Sequence, residues 1–317
     1  MEASQFDLRG ICERVPWWGM FLTSIVTFLA TDKELPDLGR TTINLIDGDL
    51  IAPREVAKGR ADIAFSTPPV SVGMAYRGVG PFRKKMDNLR AIGTLPHPDG
   101  MAWAVPADSG INSIEEMKDK PLRLALPDRN SPVRFVVEKI LAAYGMPLEK
   151  LKSRGWQIIE EWRGLFRVVG LVMDGKADAV VHEGLTAAWP ALTESRLMRF
   201  LPIRNDVLQK MADKYGYGSG VISKGMLRGV EEDVPCIDFS GWIMFVRSDM
   251  PDNIAYRITR IFVEKRGLFE APFRGLGQPP EKSALAYPID PNQLWQNVGG
   301  VPLHPAAERY YKEHGYM

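Results

Sequence analysis

The sequence predicts an α/β fold of parallel sheets flanked by helices. Short apolar runs of strand length alternate with stretches whose apolar residues recur at helical spacing. Strands alternating with helices in this way imply βαβ units. The 317 residues include 29 glycines and 24 prolines, enough for the frequent turns that short units need. With 45% hydrophobic and 25% charged residues, the chain is of ordinary soluble composition and long enough for two domains or one large one.

Phe6–Cys12 is the expected first strand, and the apolar stretch Trp18–Thr31 the first helix. Thr41–Ile46 alternates as a strand does, Ile51–Lys58 suits a short helix, and Ala61–Phe65 a short buried strand. Leu89–Leu95 and Met101–Val105 are two further strands. Ile114–Lys118 reads as a short helix, with Ser113 placed to cap it and Glu115 and Glu116 in the first turn, where negative charge is favoured. The strand Leu122–Leu126 leads into the helix Val133–Tyr144. There Val133, Val136, Val137, Ile140 and Leu141 fall at helical spacing, and Gly145 ends it. The alternation continues through Gln157–Glu160, Leu165–Met173 and Ala177–Val181, and Ile243–Val246 is a later strand. Near the C-terminus Pro305 suits a first helical turn, Ala306–Lys312 the helix body, and Gly315 its stop.

Composition also excludes functions. A net charge of +1 provides no field to gather nucleic acid or an anionic membrane surface. Cys12 and Cys236 are the only cysteines, too few for a disulfide framework. Two buried free thiols are expected, with a single bridge left open. His97, His182, His304 and His314 are scattered, so neither a structural metal nor a cofactor is expected. The sequence has no GxSxG elbow, phosphate-binding P-loop or GxGxxG fingerprint. Glu160 and Glu161 are adjacent and would face opposite sides of a strand, so they do not form an acid and base pair. Glu231, Glu232 and Asp233 suit a solvated loop. No secretory signal is visible in the first residues, and the apolar run Phe21–Ala30 is too short to span a bilayer.

One segment points further. VPLHPAAERYYKEHG, Val301 to Gly315, closely resembles the end of the solute-binding proteins of TRAP transporters, specifically the TAXI family, with Ala306 in place of the family's usual glycine. Four more blocks are similar to that family's in the same order: KGRADIAF (Lys58–Phe65), VPADSGINSIEEMKDKPLRLALP (Val105–Pro127), MDGKADAVV (Met173–Val181) and EDVPCIDFSGWIMFVRSDMPDNIAYRITRIF (Glu232–Phe262). The first 50 or so residues match poorly. The resemblance implies a two-lobed periplasmic-binding-protein-like fold, each lobe a mostly parallel sheet flanked by helices, joined by a two-segment hinge. It places the crossings near Val105–Ala107 and Pro235–Ser240. Lobe one is then 1–106 with 240–317, lobe two is 107–239, and the ligand cleft lies between them.

Ligands of open α/β sheets collect beyond the carboxyl ends of strands, where helix N-termini suit anions. Three loops fit. The first carries Ser66 and Thr67, with a plain strand-to-helix turn as the alternative. The second is Pro127 to Pro132, with Arg129, Asn130 and Ser131; the resembled family has a Gly-Ser-Gly-Thr type loop here, and this chain keeps only the serine. Ser131 also suits a purely capping role. The third carries His182 and Glu183, which contact a ligand or pair with each other. Arg14, Trp17 and Trp18 stand where the family has a Gly-rich segment, offering a carboxylate partner and an aromatic wall, or simply core. Trp162 and Arg163 take a similar loop position in lobe two.

The resemblance implies capture of a small organic anion, a carboxylate, by hinge closure, for delivery to the membrane permease of a TRAP transporter. It implies a periplasmic or extracytoplasmic monomer with no covalent chemistry and no nucleic acid. Two alternatives stay open: a cytosolic, decarboxylase-like enzyme on the same fold, and a cytosolic ligand sensor.

Overall fold

The structure, a computed structural model, describes residues 6–33, 35, 38–162, 164–276 and 280–317. The chain forms two compact units: Met1–His97 with Ser240–Met317, and Pro98–Phe239. The first begins with β1 (Phe6–Glu13), α1 (Pro16–Ala30), β2 (Leu38–Ile46), α2 (Ala52–Ala57), β3 (Ile63–Ser66), α3 (Pro69–Arg77) and β4 (Leu89–Leu95). The second holds β5 (Gly100–Pro106), β6 (Arg123–Pro127), α4 (Pro132–Ala143), α5 (Leu148–Lys152), β7 (Gln157–Glu161), α6 (Leu165–Met173), β8 (Ala179–His182), α7 (Trp189–Ser195), β9 (Met198–Phe200), α8 (Asn205–Tyr215), β10 (Ser219–Ile222) and β11 (Val234–Asp238). The chain then returns to the first unit with β12 (Trp242–Arg247), α9 (Asp252–Glu264), α10 (Arg266–Arg274) and α11 (Pro305–Glu313).

Each unit has a parallel βαβ half: β1 pairs with β2 and β3, and β6 with β7 and β8. The sheets as wholes are mixed. Their orders are β2-β1-β3-β12-β4 and β10-β11-β5-β8-β6-β7, with β9 also on β5. β12 runs antiparallel to β3 and β4, and β5 antiparallel to β8, β9 and β11. β5 and β12 are each the first strand after the chain passes from one unit to the other. Neither arrives through a crossover helix, so neither is bound to the parallel direction. Residues 98–106, grouped with lobe one on sequence grounds, contain β5, whose ladder partners all belong to the second unit. The first crossing is therefore His97–Pro98, and the second Phe239–Ser240.

The two βαβ halves share one local device. The Arg9 guanidinium donates to both oxygens of Asp62 at 2.9 and 2.8 Å, and the Arg9 N–H donates to the same carboxylate at 2.8 Å. Arg123 binds Asp178 in the same pattern, at 3.0, 2.6 and 2.9 Å. Each aspartate precedes the strand that pairs with its arginine's strand, so each pair fixes the register of a neighbouring βαβ unit. The sequence shows this as GRAD (59–62) and GKAD (175–178), a short echo rather than a fixed-period repeat.

Burial follows the predicted periodicities. In α1, Trp18, Phe21, Leu22, Ile25 and Leu29 are buried at helical spacing and pack on Phe65, Trp242 and Met244. Each such side chain removed from water contributes about 1.5–3 kcal/mol. The second unit has its own core around Ala104, Val180, Trp189, Leu192 and Phe200. The short helix expected over Ile114–Lys118 is a 3-10 helix, Glu115–Asp119. Ser113 Oγ still accepts the Glu116 N–H at 3.3 Å, but the turn ends within five residues, a length that suits 3-10 geometry. Glu160 is exposed and Glu161 buried, so they do face opposite ways on β7.

The C-terminal segment closes the first unit. Ala91 N donates to Pro302 O at 2.9 Å, and His304 N to Ala91 O at 2.9 Å, extending the β4 edge. His304 caps α11: its Nδ1 accepts the Ala306 N–H at 3.2 Å, while Nε2 lies 3.1 Å from Met250 O. One nitrogen must accept and the other donate, so this imidazole is neutral, and burial lowers its pKa accordingly. Tyr311 donates to Ile92 O at 3.2 Å. Gly93 makes room for it, since a Cβ there would lie 2.7 Å from the Tyr311 hydroxyl. The His-Pro and Tyr-Tyr pairs that dominate the sequence motif are thus structural.

Candidate functional site

In the first unit, the loops after β1, β2 and β3 gather at the carboxyl edge of the parallel strands. Ser66 ends β3, and Trp17 and Trp18 open α1 directly after β1. Buried polar atoms without a hydrogen-bond partner occur at this edge and in the helices that follow it: Trp17 Nε1 and Trp18 Nε1 in the first turn of α1, Asp49 Oδ1 after β2, Ser66 Oγ at the end of β3, and Ser71 Oγ in α3. Leaving such a group unpaired costs about 1–3 kcal/mol. Several at one sheet edge mark a place where a ligand or water supplies the missing partners.

Trp17 is half-buried, stacked on Trp242 at 6.0 Å with Phe273 at its edge. Trp18 is fully buried in the core, which is the alternative its sequence position allowed. Arg14 is committed to Asp47, with Nε 2.8 Å from Oδ1, and more than half its side chain is exposed. Thr67 is buried; its N–H donates to Asp49 Oδ2 at 2.9 Å and its hydroxyl to Gly241 O at 3.1 Å.

Asp49 was not singled out by sequence reasoning. It is wholly buried, and its pKa is raised well above 3.8, chiefly by burial and further by Glu13, against the lowering effect of the Thr67 N–H. The folded chain therefore holds this proton more tightly than the unfolded chain does. Stability from this group is greatest at acid pH and is lost as pH rises from about 3.8 through the folded value. Asp49→Asn keeps an acceptor for Thr67 and removes the titration. We expect it to unfold at higher temperature than the parent at neutral pH, with the advantage vanishing in acid. Thermal unfolding across that range checks this; an asparagine variant weaker than the parent at neutral pH contradicts it.

In the second unit the corresponding edge carries the loops after β6, β7 and β8. Ser131 caps α4, its Oγ accepting the Val133 N–H at 3.2 Å. Asn130 N donates to Asp128 Oδ1 within the loop. Arg129 is 78% exposed, its Nε 3.6 Å from Glu160 Oε1, so solvent competes for its charge. Trp162 is exposed, and Arg163 lies outside the described residues. His182 ends β8, buried, with Nδ1 3.3 Å from the Glu183 carbonyl and 3.5 Å from its carboxylate. Burial holds its pKa down at about 4, so it is neutral at physiological pH. Asp99 shapes the loop after β8 by accepting the Gly184 N–H at 2.6 Å and the Leu185 N–H at 3.1 Å.

Arg134, in the first turn of α4, is a buried cation in this region, as Glu161 at the end of β7 is a buried acid. The Arg134 Nε donates to Glu138 at 2.7 Å, Nη2 lies 3.2 Å from Glu160, and Nη1 is buried without a partner. Trp103 Nε1 and Thr186 Oγ1 are likewise buried and unpaired. An arginine inside the apolar run VRFVV was the available signal for Arg134. Asp49 had none, because only the fold removes it from water. Cys12 and Cys236 are free and buried, and burial pushes both thiols up to about 12, so both are protonated at neutral pH.

Two α/β units, each built around a parallel βαβ half and joined by two crossings, make up the fold. Solved structures share it over almost their whole length. PhnD1 from Prochlorococcus marinus in complex with methylphosphonate is 10% identical with a TM-score of 0.56, covering 98% of this chain and 99% of that one. XAC2383 from Xanthomonas citri bound to ATP is 12% identical with a TM-score of 0.54, covering 96% and 98%. A TctC solute-binding protein from Polaromonas is 13% identical with a TM-score of 0.51, covering all of both chains. At these identities the likeness is one of fold. The chain belongs to the NMT1-like family, whose model matches residues 46–315. No helix among the described residues is long and apolar enough to cross a membrane.

Proposed function

We propose that this protein is the solute-binding component of a transporter, taking up a small organic ligand without covalent chemistry. The observation that carries the reading is the set of buried, unpaired polar atoms in each unit, several of them in the loops and first helical turns that follow the parallel strands, on a fold shared with solute-binding proteins. The finer assignment, a TAXI-type protein that hands a carboxylate to a TRAP permease outside the cytoplasm and acts as a monomer, rests on the resemblance of the five sequence blocks. Hinge closure over the ligand is part of that same assignment. The groups proposed to meet a ligand are Trp17, Ser66, Thr67, Asn130, Ser131, His182 and Glu183, with Arg134 added from the structure. A carboxylate is the ligand class that suits Arg134 Nη1 and the N-terminus of α4.

A thermal-shift panel of small carboxylates, matched amides and amines tests this, together with mass spectrometry of what copurifies. A carboxylate should raise the unfolding temperature and its amide should not. Equal response to acid and amide removes the anion from the reading, and no response to any organic solute removes solute binding.

A further inference from the structure

The geometry points to a second anion site, on the second unit alone: a pocket that takes a phosphoryl-type oxyanion. The pocket has a volume of about 190 Å³ and is lined by Lys118, Tyr144, Lys150 and Arg154, with Met146 and Leu151 among its apolar walls. It lies where the end of α4, α5 and the 115–119 turn meet, and its residues precede β7 while the loops described above follow β6, β7 and β8.

Several cations of the unit sit on carboxylates: Arg123 on Asp178, Lys152 on Glu149, Lys176 on Asp174, and Arg204 on Asp206 and Glu115. Among the described residues, Lys118, Lys150 and Arg154 have no carboxylate within 4.0 Å. The nearby acids Glu115 and Glu149 are already taken by Arg204 and Lys152. Three cations around one concavity repel each other unless an anion joins them.

Tyr144 completes the donor set. Its oxygen accepts the Arg204 N–H at 2.8 Å, which leaves its own O–H proton free to donate. Burial raises the Tyr144 pKa, so the phenol stays protonated at neutral pH. The residues lining the pocket thus include two lysines, an arginine and a tyrosine, with no carboxylate among them. A tetrahedral oxyanion with several acceptor oxygens matches donors of this kind better than a planar carboxylate or a chloride ion does. Such a group comes as free inorganic phosphate or as the phosphoryl end of a small ester.

Titration of the full chain with inorganic phosphate and with methyl phosphate, followed by calorimetry at low ionic strength, tests the site. We expect both to bind the parent. Lys150→Ala combined with Arg154→Ala should weaken binding by at least about tenfold. Arg134→Lys, which alters the carboxyl-edge loops only, should bind phosphate as the parent does, so failure of this site and failure of the solute-binding reading are distinguishable. Tighter binding of the ester assigns the occupant to esters, and equal binding assigns it to the free ion. Absence of phosphate binding by the parent at millimolar concentration overturns the proposal, as does a double variant that folds and binds phosphate like the parent.

Discussion

Replacing Arg134 with methionine is expected to weaken ligand capture by about 2–5 kcal/mol, the range for truncating one partner of a buried charged contact. Its unsatisfied Nη1 makes Arg134 the charge in the second unit's loops with unused hydrogen-bonding capacity away from solvent. The fold should survive the change. Methionine fills a similar volume, and the side chains of Glu138 and Glu160 are 40% and 43% exposed, so water can take over their solvation. Arg134→Lys keeps the charge but loses the planar fork, and should fall between parent and methionine. Calorimetry with the ligand found by the carboxylate panel, alongside urea unfolding of each variant, separates affinity from stability. A methionine variant with parental affinity would show that Nη1 faces no ligand.

Trp242→Ala should be the most destabilising single change in the first unit, at about 3–5 kcal/mol. Trp242 is 2% exposed and begins β12, between β3 and β4. Its ring stacks with Trp17 at 6.0 Å and His97 at 4.4 Å and meets Trp18, Phe21 and Phe273 at 5.9–6.1 Å. Removing it opens a void under Trp17, so the aromatic wall of the proposed ligand loops should loosen along with the core. Trp242→Phe, which keeps much of the packing, should cost markedly less. Urea unfolding monitored by circular dichroism measures both. A loss below about 1 kcal/mol for the alanine variant would mean that the cluster collapses around the vacancy.

The βαβ elements were legible because their signals are local. The apolar spacing of α1 and α4, the Ser131 cap and the short run before Ser66 all depend on near neighbours in sequence. What escaped depends on distant ones. The antiparallel placement of β5 and β12 follows from where the chain changes unit, and no composition change marks His97–Pro98. The site divided in the same way. Loops after strands can be found from the strands, which is why Ser66, Thr67 and Ser131 were in view. Whether a polar group there is buried and unpaired is a tertiary property. Exposed Arg129 and buried Arg134 stand five residues apart, and only the apolar run around Arg134 hints at the difference; Trp17 and Trp18 are separated only by which face of α1 meets the core.

The nesting of one unit inside the other has a consequence for how the chain is made. Every strand of the second sheet lies within residues 100–238, one uninterrupted stretch. The first sheet has β12 between β3 and β4, so it has a missing rung until Arg247 has left the ribosome. Its β4 edge then waits for Leu303 and His304, and α11 for Glu313. The inserted unit therefore has its whole sheet in hand while the unit that it interrupts is still an incomplete set of strands, so the later-starting unit can finish first during synthesis.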